Sequence, residues 1–80
     1  MSIQVEIGKN IILLRKEKRI SQERLALDSD MSVSYLRSIE HGTANPTIYA
    51  LVRIADTLDV PLLRIISPEA EAALLSSSNR

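Results

Sequence analysis

Between Ser21 and Gly42 the chain reads SQERLALDSDMSVSYLRSIEHG, two short helical patterns each opened by a serine and separated by the tight polar break Asp28-Ser29-Asp30. A serine placed ahead of an apolar-periodic stretch offers its hydroxyl to an unpaired N–H of the first helical turn, so Ser21 and Ser32 mark two helix starts. Behind Ser21 the apolar positions are Leu25, Ala26 and Leu27; behind Ser32 they are Leu36 and Ile39, with Tyr35 beside them. Each helix therefore has one narrow stripe to bury. Helices this short are held by packing, and Ala26 is small enough for a second helix to cross closely over it. Gly42 supplies the left-handed residue expected at the end of the second helix.

That second helix keeps its other face free. The face carries Val33, Ser34, Arg37 and Ser38: short hydrogen-bonding groups, one methyl-bearing side chain and one guanidinium. Such groups suit the DNA major groove, where thymine presents a methyl and guanine two acceptors. Two short helices, a tight turn and a free polar face are the pattern of a helix-turn-helix.

The flanks supply the remaining core. A first helix is expected from about Gln4 to Lys18, with Ile7, Ile11 and Leu14 at helical spacing on the inner side. Asn45-Pro46-Thr47 interrupts the chain after the third helix, and Thr47 caps a fourth whose buried face is read as Ile48, Leu51, Ile54, Ala55 and Leu58. Val60-Pro61 opens a short fifth helix, Pro61 to Ile66, with Leu62, Ile65 and Ile66 inward. Ser67-Pro68-Glu69 resembles one more cap, so Glu69 to Leu75 is expected to add a turn or two, with Ser76 to Arg80 loose. The expectation is an all-α, compact five-helix unit occupying residues 1–80 as a single domain, its core spanning about 4–66, its motif 21–42 and its tail 67–80.

These segments resemble the lambda-repressor-like, Cro/C1-type (XRE-type) helix-turn-helix transcription regulators from about Ile7 to Ile66. The matching stretches are IGKNIILLRKEKRISQERLA, SYLRSIEHG and NPTIYALVRIADTLDVPLLRII. The resemblance implies that the third helix enters double-stranded DNA, with Ser32, Val33, Ser34, Arg37 and Ser38 reading bases. It also implies that Ser21, Gln22, Arg19, His41, Thr43 and Asn45 lie along the phosphates. Gln22 is alternatively an ordinary exposed residue, and His41 is either a loop residue near a phosphate or merely exposed. Arg15 and Glu40 match positions where the family places a partly buried ion pair joining the first helix to the end of the third, an arrangement that orients the motif more than it stabilises it. Where the family usually has Gly in the turn, this chain has Asp30, which tolerates a left-handed backbone less well.

Composition narrows the partners. Eighty residues, 45% of them hydrophobic, form one core and gain from dimerisation. A homodimer is expected through Tyr49 and Val52, off the main stripe of the fourth helix, with Leu63, where the family generally has a polar residue. Ten basic and ten acidic residues cancel overall. Even so, Arg15, Lys16, Lys18, Arg19 and Arg24 gather near the motif, and local charge is what DNA requires. With no cysteine there is neither a disulfide nor a thiolate metal site, and one histidine makes a poor metal ligand set, so no cofactor is expected. No stretch approaches the roughly 20 apolar residues of a membrane span, and the start is unlike a signal peptide, so a cytoplasmic protein is expected.

Only Gly8 and Gly42 are glycines, which rules out a Gly-rich phosphate loop, and no Ser/His/acid spacing appears; an enzyme is not expected. Within the regulators, a phage-type repressor and a restriction–modification controller both fit the short length. The competing function is an antitoxin or other protein-interaction module that uses the same fold with a partner protein.

Overall fold

A serine again begins the chain's first helix. In the computed structural model, which describes residues 2–78, the hydroxyl of Ser2 accepts the N–H of Val5 and opens α1, Ile3–Glu17. Ser21 opens α2, Gln22–Asp28, by accepting from Arg24, and Ser32 opens α3, Val33–His41, by accepting from Tyr35. Thr47 accepts from Ala50 at the start of α4, Ile48–Leu58. Pro61 precedes α5, Leu62–Ile66, and α6 follows at Pro68–Ser78. No strand occurs among the described residues.

Four of these helices end alike. Arg19, Asp30, Gly42 and Asp59 take positive φ of 57°, 56°, 78° and 56°. The amide after each one donates back to a carbonyl of the last turn: Ile20 to Arg15, Met31 to Ala26, Thr43 to Ser38 and Val60 to Ala55. This is the ending that satisfies the last helical carbonyls, and an apolar residue behind the left-handed position commonly seals it. Ile20, Met31 and Val60 do so here, packing on the core.

Most residues assigned to the core from sequence are buried in one cluster: Ile7, Ile11 and Leu14 of α1, Leu25 and Ala26 of α2, Leu36 and Ile39 of α3, Leu51, Ile54, Ala55 and Leu58 of α4, and Ile65 of α5. Four apolar residues expected on inner faces, Leu27, Ile48, Leu62 and Ile66, are not buried, and Ile48 is 53% exposed. It lies on the same side of α4 as Ala55 but in the first turn, and periodicity gives the face of a helix without saying how far along it the neighbours extend. Ala50 and Val60 are buried in addition. Leu62 and Ile66 are only half-buried, and Leu27 is 70% exposed.

Among the described residues there are six helices rather than the expected five. The expected turn or two after Ser67 is an eleven-residue helix, α6, that runs through Ser76–Ser78; Asn79 and Arg80 lie outside the described residues. Its sequence is rich in Ala, Glu and Leu, it has Pro at the first helical position, and the Ser67 hydroxyl accepts the N–H of Ala70. Arg64 of α5 makes two hydrogen bonds to the Glu71 carboxylate, at 2.8 and 2.9 Å, which fasten α6 to the body. Those bonds and the facing carboxylate raise the Arg64 pKa above its usual value. One residue further along α5, the Ile65 carbonyl accepts from Asn10 of α1 at 2.7 Å.

Candidate nucleic-acid interface

The inner side of α3 is fixed from three directions. Leu36 and Ile39 enter the core, and the main chain at Glu40 lies directly against α1, where a Cβ on Gly8 would overlap the Ile39 and Glu40 carbonyls. Gly42 is equally constrained, since a Cβ there would meet Val5 at 2.7 Å. The third restraint is polar. Arg15 donates through Nε to Glu40 Oε2 at 2.8 Å and through Nη2 to Oε1 at 3.0 Å, and it also donates through Nη1 to the Ile20 carbonyl. Gln22 Nε2 donates to the same Oε1 at 3.0 Å. The Glu40 side chain is 2% exposed, so its carboxylate depends on these donors in place of water. One buried carboxylate thus ties together α1, the first turn of α2 and the last turn of α3.

What remains outside is a polar ridge. At about 100° per residue, Ser34, Arg37, Ser38 and His41 fall within roughly 100° of arc on α3. Ser34, Arg37 and His41 are exposed; Ser38 is half-buried, and its hydroxyl donates to the Tyr35 carbonyl at 2.7 Å. His41, read from sequence as a loop residue, is the last residue of α3 and stands on this ridge. Val33 differs from the other ridge candidates in being half-buried and packed on the core. Ser32 and Ser21 are exposed caps whose hydroxyl oxygens are taken up by Tyr35 and Arg24, leaving each hydroxyl proton available to an outside acceptor.

The other positions lie around this ridge in the chain. Arg19 is exposed at the left-handed close of α1, while Thr43 and Asn45 are exposed in the loop after α3, Thr43 donating to the Ser38 carbonyl at 3.2 Å. Of the expected basic cluster, Lys16, Lys18 and Arg19 face solvent. Arg15 is occupied by Glu40 and Arg24 by Asp28 at 2.9 Å. The positive patch is therefore smaller than the sequence count. On α4, Ile48, Tyr49 and Val52 share one side and are 53%, 75% and 38% exposed, whereas Leu63 of α5 is half-buried. Among the described residues there is no cluster of three His, Cys, Asp or Glu able to hold a metal, and no helix long and apolar enough to cross a membrane.

Two short helices crossing at a tight turn, the second clamped on one side and polar on the other, define a helix-turn-helix of the lambda-repressor-like kind. The chain belongs to the HTH_3 helix-turn-helix family, the XRE or Cro/C1 type, which matches residues 11–65. It is similar to the HTH-type transcriptional regulator y4dJ of Sinorhizobium fredii, with 35% identity over 71 residues covering 89% of this chain and 92% of that one. The control protein C.MunI of a Mycoplasma species is 35% identical over 66 residues, covering 81% and 89%. The crystal structure of the restriction-modification controller protein C.AhdI from Aeromonas hydrophila superposes with a TM-score of 0.76 at 31% identity, over 78% of this chain and 94% of that one. The protein is thus a transcriptional regulator of the helix-turn-helix type.

Proposed function

We propose that the protein is a sequence-specific regulator of the controller or repressor kind that binds a palindromic operator in double-stranded DNA as a homodimer. The observation that carries this reading is the α3 ridge, whose back is locked by Leu36, Ile39 and the Arg15–Glu40–Gln22 bonds while Ser34, Arg37 and His41 stay in solvent. A helix with its orientation fixed and its polar side free meets what groove reading requires. In this reading Ser32, Ser34, Arg37 and Ser38 face base edges and Val33 offers its methyls from the ridge margin. Ser21, Gln22, Arg19, His41, Thr43 and Asn45 position phosphates.

The second half of the reading concerns α4. Ile48, Tyr49 and Val52 form an exposed apolar side, and Leu63 of α5 is added as its margin. A two-fold axis through such a patch makes the same surface serve both subunits and sets the two recognition helices about 34 Å apart, one DNA turn. The similarity to control proteins of matching length favours the small-controller form of this function.

Selection of bound duplexes from a random pool tests it. The expected product is one inverted repeat, bound with an affinity that falls steeply as salt rises. Recovery of unrelated sequences, with tight capture of a co-encoded protein instead, would replace this reading with the antitoxin or interaction-module one.

A further inference from the structure

The turn of the motif contains a buried hydroxyl that none of the roles above uses. Ser29, between α2 and α3, is 1% exposed, and its hydroxyl donates to Oγ1 of Thr57 in α4 at 3.1 Å. Thr57 in turn donates to the carbonyl of Asp28 at 3.3 Å. These two bonds fasten the turn of the motif to α4. Thr57 lies five residues beyond Val52, which places it about 7.5 Å along α4 and about 140° around from it. By the same count Thr57 is about 180° from Ile48 and about 80° from Tyr49, so α4 meets the turn along one line and carries the apolar patch of Ile48, Tyr49 and Val52 on a separate arc nearer its start. Any tilt of α4 against the turn changes the angle between the patch and the recognition helix.

We infer that Ser29 and Thr57 are positioning residues that fix the distance and angle between the two recognition helices of the dimer, and so determine which half-site spacing the protein accepts. The inference rests on the dimeric reading of the α4 face. In Thr57→Val the shape is retained, but the buried Ser29 hydroxyl loses its acceptor and the Asp28 carbonyl its donor, so the two bonds that hold the turn to α4 are gone. Ser32, Val33 and Ser34 adjoin this turn, so the affinity of each variant for a single half-site is measured separately from its preference among spacings.

The test uses the inverted repeat selected by the wild-type protein, resynthesised with its centre lengthened or shortened by one base pair, together with a single half-site duplex. One base pair turns the second half-site by about 34° and moves it about 3.4 Å, so the wild type is expected to lose about tenfold or more in affinity on either altered duplex. Thr57→Val is expected to reduce that discrimination to about threefold or less, whatever its affinity for the single half-site, and Thr57→Ser to restore it. A residue that merely stabilised the fold would lower the melting temperature and leave the discrimination ratio unchanged; that result, in a variant that sediments as a dimer, overturns the inference alone. Should Thr57→Val fail to fold, Ser29→Ala removes the hydroxyl without leaving a buried donor and is read by the same ratio. A wild-type chain that sediments as a monomer on and off DNA overturns the dimeric reading and this inference with it.

Discussion

Glu40 shows how much one side chain can settle in a molecule of this size. Its buried carboxylate accepts three bonds, from Arg15 and Gln22, and removing one donor of a buried pair leaves a charge with neither water nor counter-ion. Arg15→Met is expected to cost about 3–5 kcal/mol in urea unfolding, and Arg15→Met with Glu40→Met to recover most of it; equal loss in both would assign the cost to packing. The left-handed positions give a second expectation. Asp30, at φ 56°, is exposed and carries a Cβ where glycine would carry none. Asp30→Gly should therefore stabilise by about 0.5 kcal/mol, whereas Gly42→Ala, with Val5 in the way, should destabilise by about 1–2 kcal/mol or more. Melting temperatures moving together would contradict this assignment of strain. The same residues show what the sequence could reveal. Ser21, Ser32, Thr47 and Gly42 are legible because each has a side chain, or a lack of one, that helix ends select, whereas Ser2 caps α1 one residue ahead of Ile3, before the expected start at Gln4. Arg19 and Asp59 close helices in the same geometry without that signature, so their conformation comes from the apolar seal that follows, Ile20 and Val60.

Among the helices, legibility depended on how many sides were buried. Caps mark the starts of α2 to α4 and periodicity the inner faces of α1 to α4, and the core residues named from spacing are the buried ones, Leu27 and Ile48 excepted. The Gln22–Glu40 bond and the Ser29–Thr57 contact join residues 18 and 28 positions apart, and no local pattern encodes them. Helix α6 was underestimated for a different reason: its propensity is strong, but it has no buried side among its described side chains, so no apolar stripe announced its length. That has a measurable consequence. A chain ended at Ser67 should retain cooperative unfolding and melt within about 4 °C of the full chain, since α6 contributes no residue to the core. Loss of the transition would mean that α6 carries stability that its exposure hides.

At the scale of the whole molecule, the proposed dimer uses the apolar α4 face as its two-fold contact and the clamped α3 as its recognition helix. The proposed contact extends to Leu63, half-buried in α5, so Leu63→Glu should yield folded monomers by sedimentation, with weaker and less cooperative operator binding. A variant still dimeric at micromolar concentration would move the contact elsewhere and leave the motif intact. The zero net charge adds a constraint: with Arg15 and Arg24 engaged in ion pairs, non-specific attraction to phosphate is modest, so discrimination must come from the ridge itself. The most direct measurement is the base-preference profile of wild type and Arg37→Ala over all single substitutions in the selected operator. The expected result is a loss of about 1–3 kcal/mol confined to one base position per half-site, where the guanidinium reads guanine. An unchanged profile at unchanged affinity would show that α3 is not the reader.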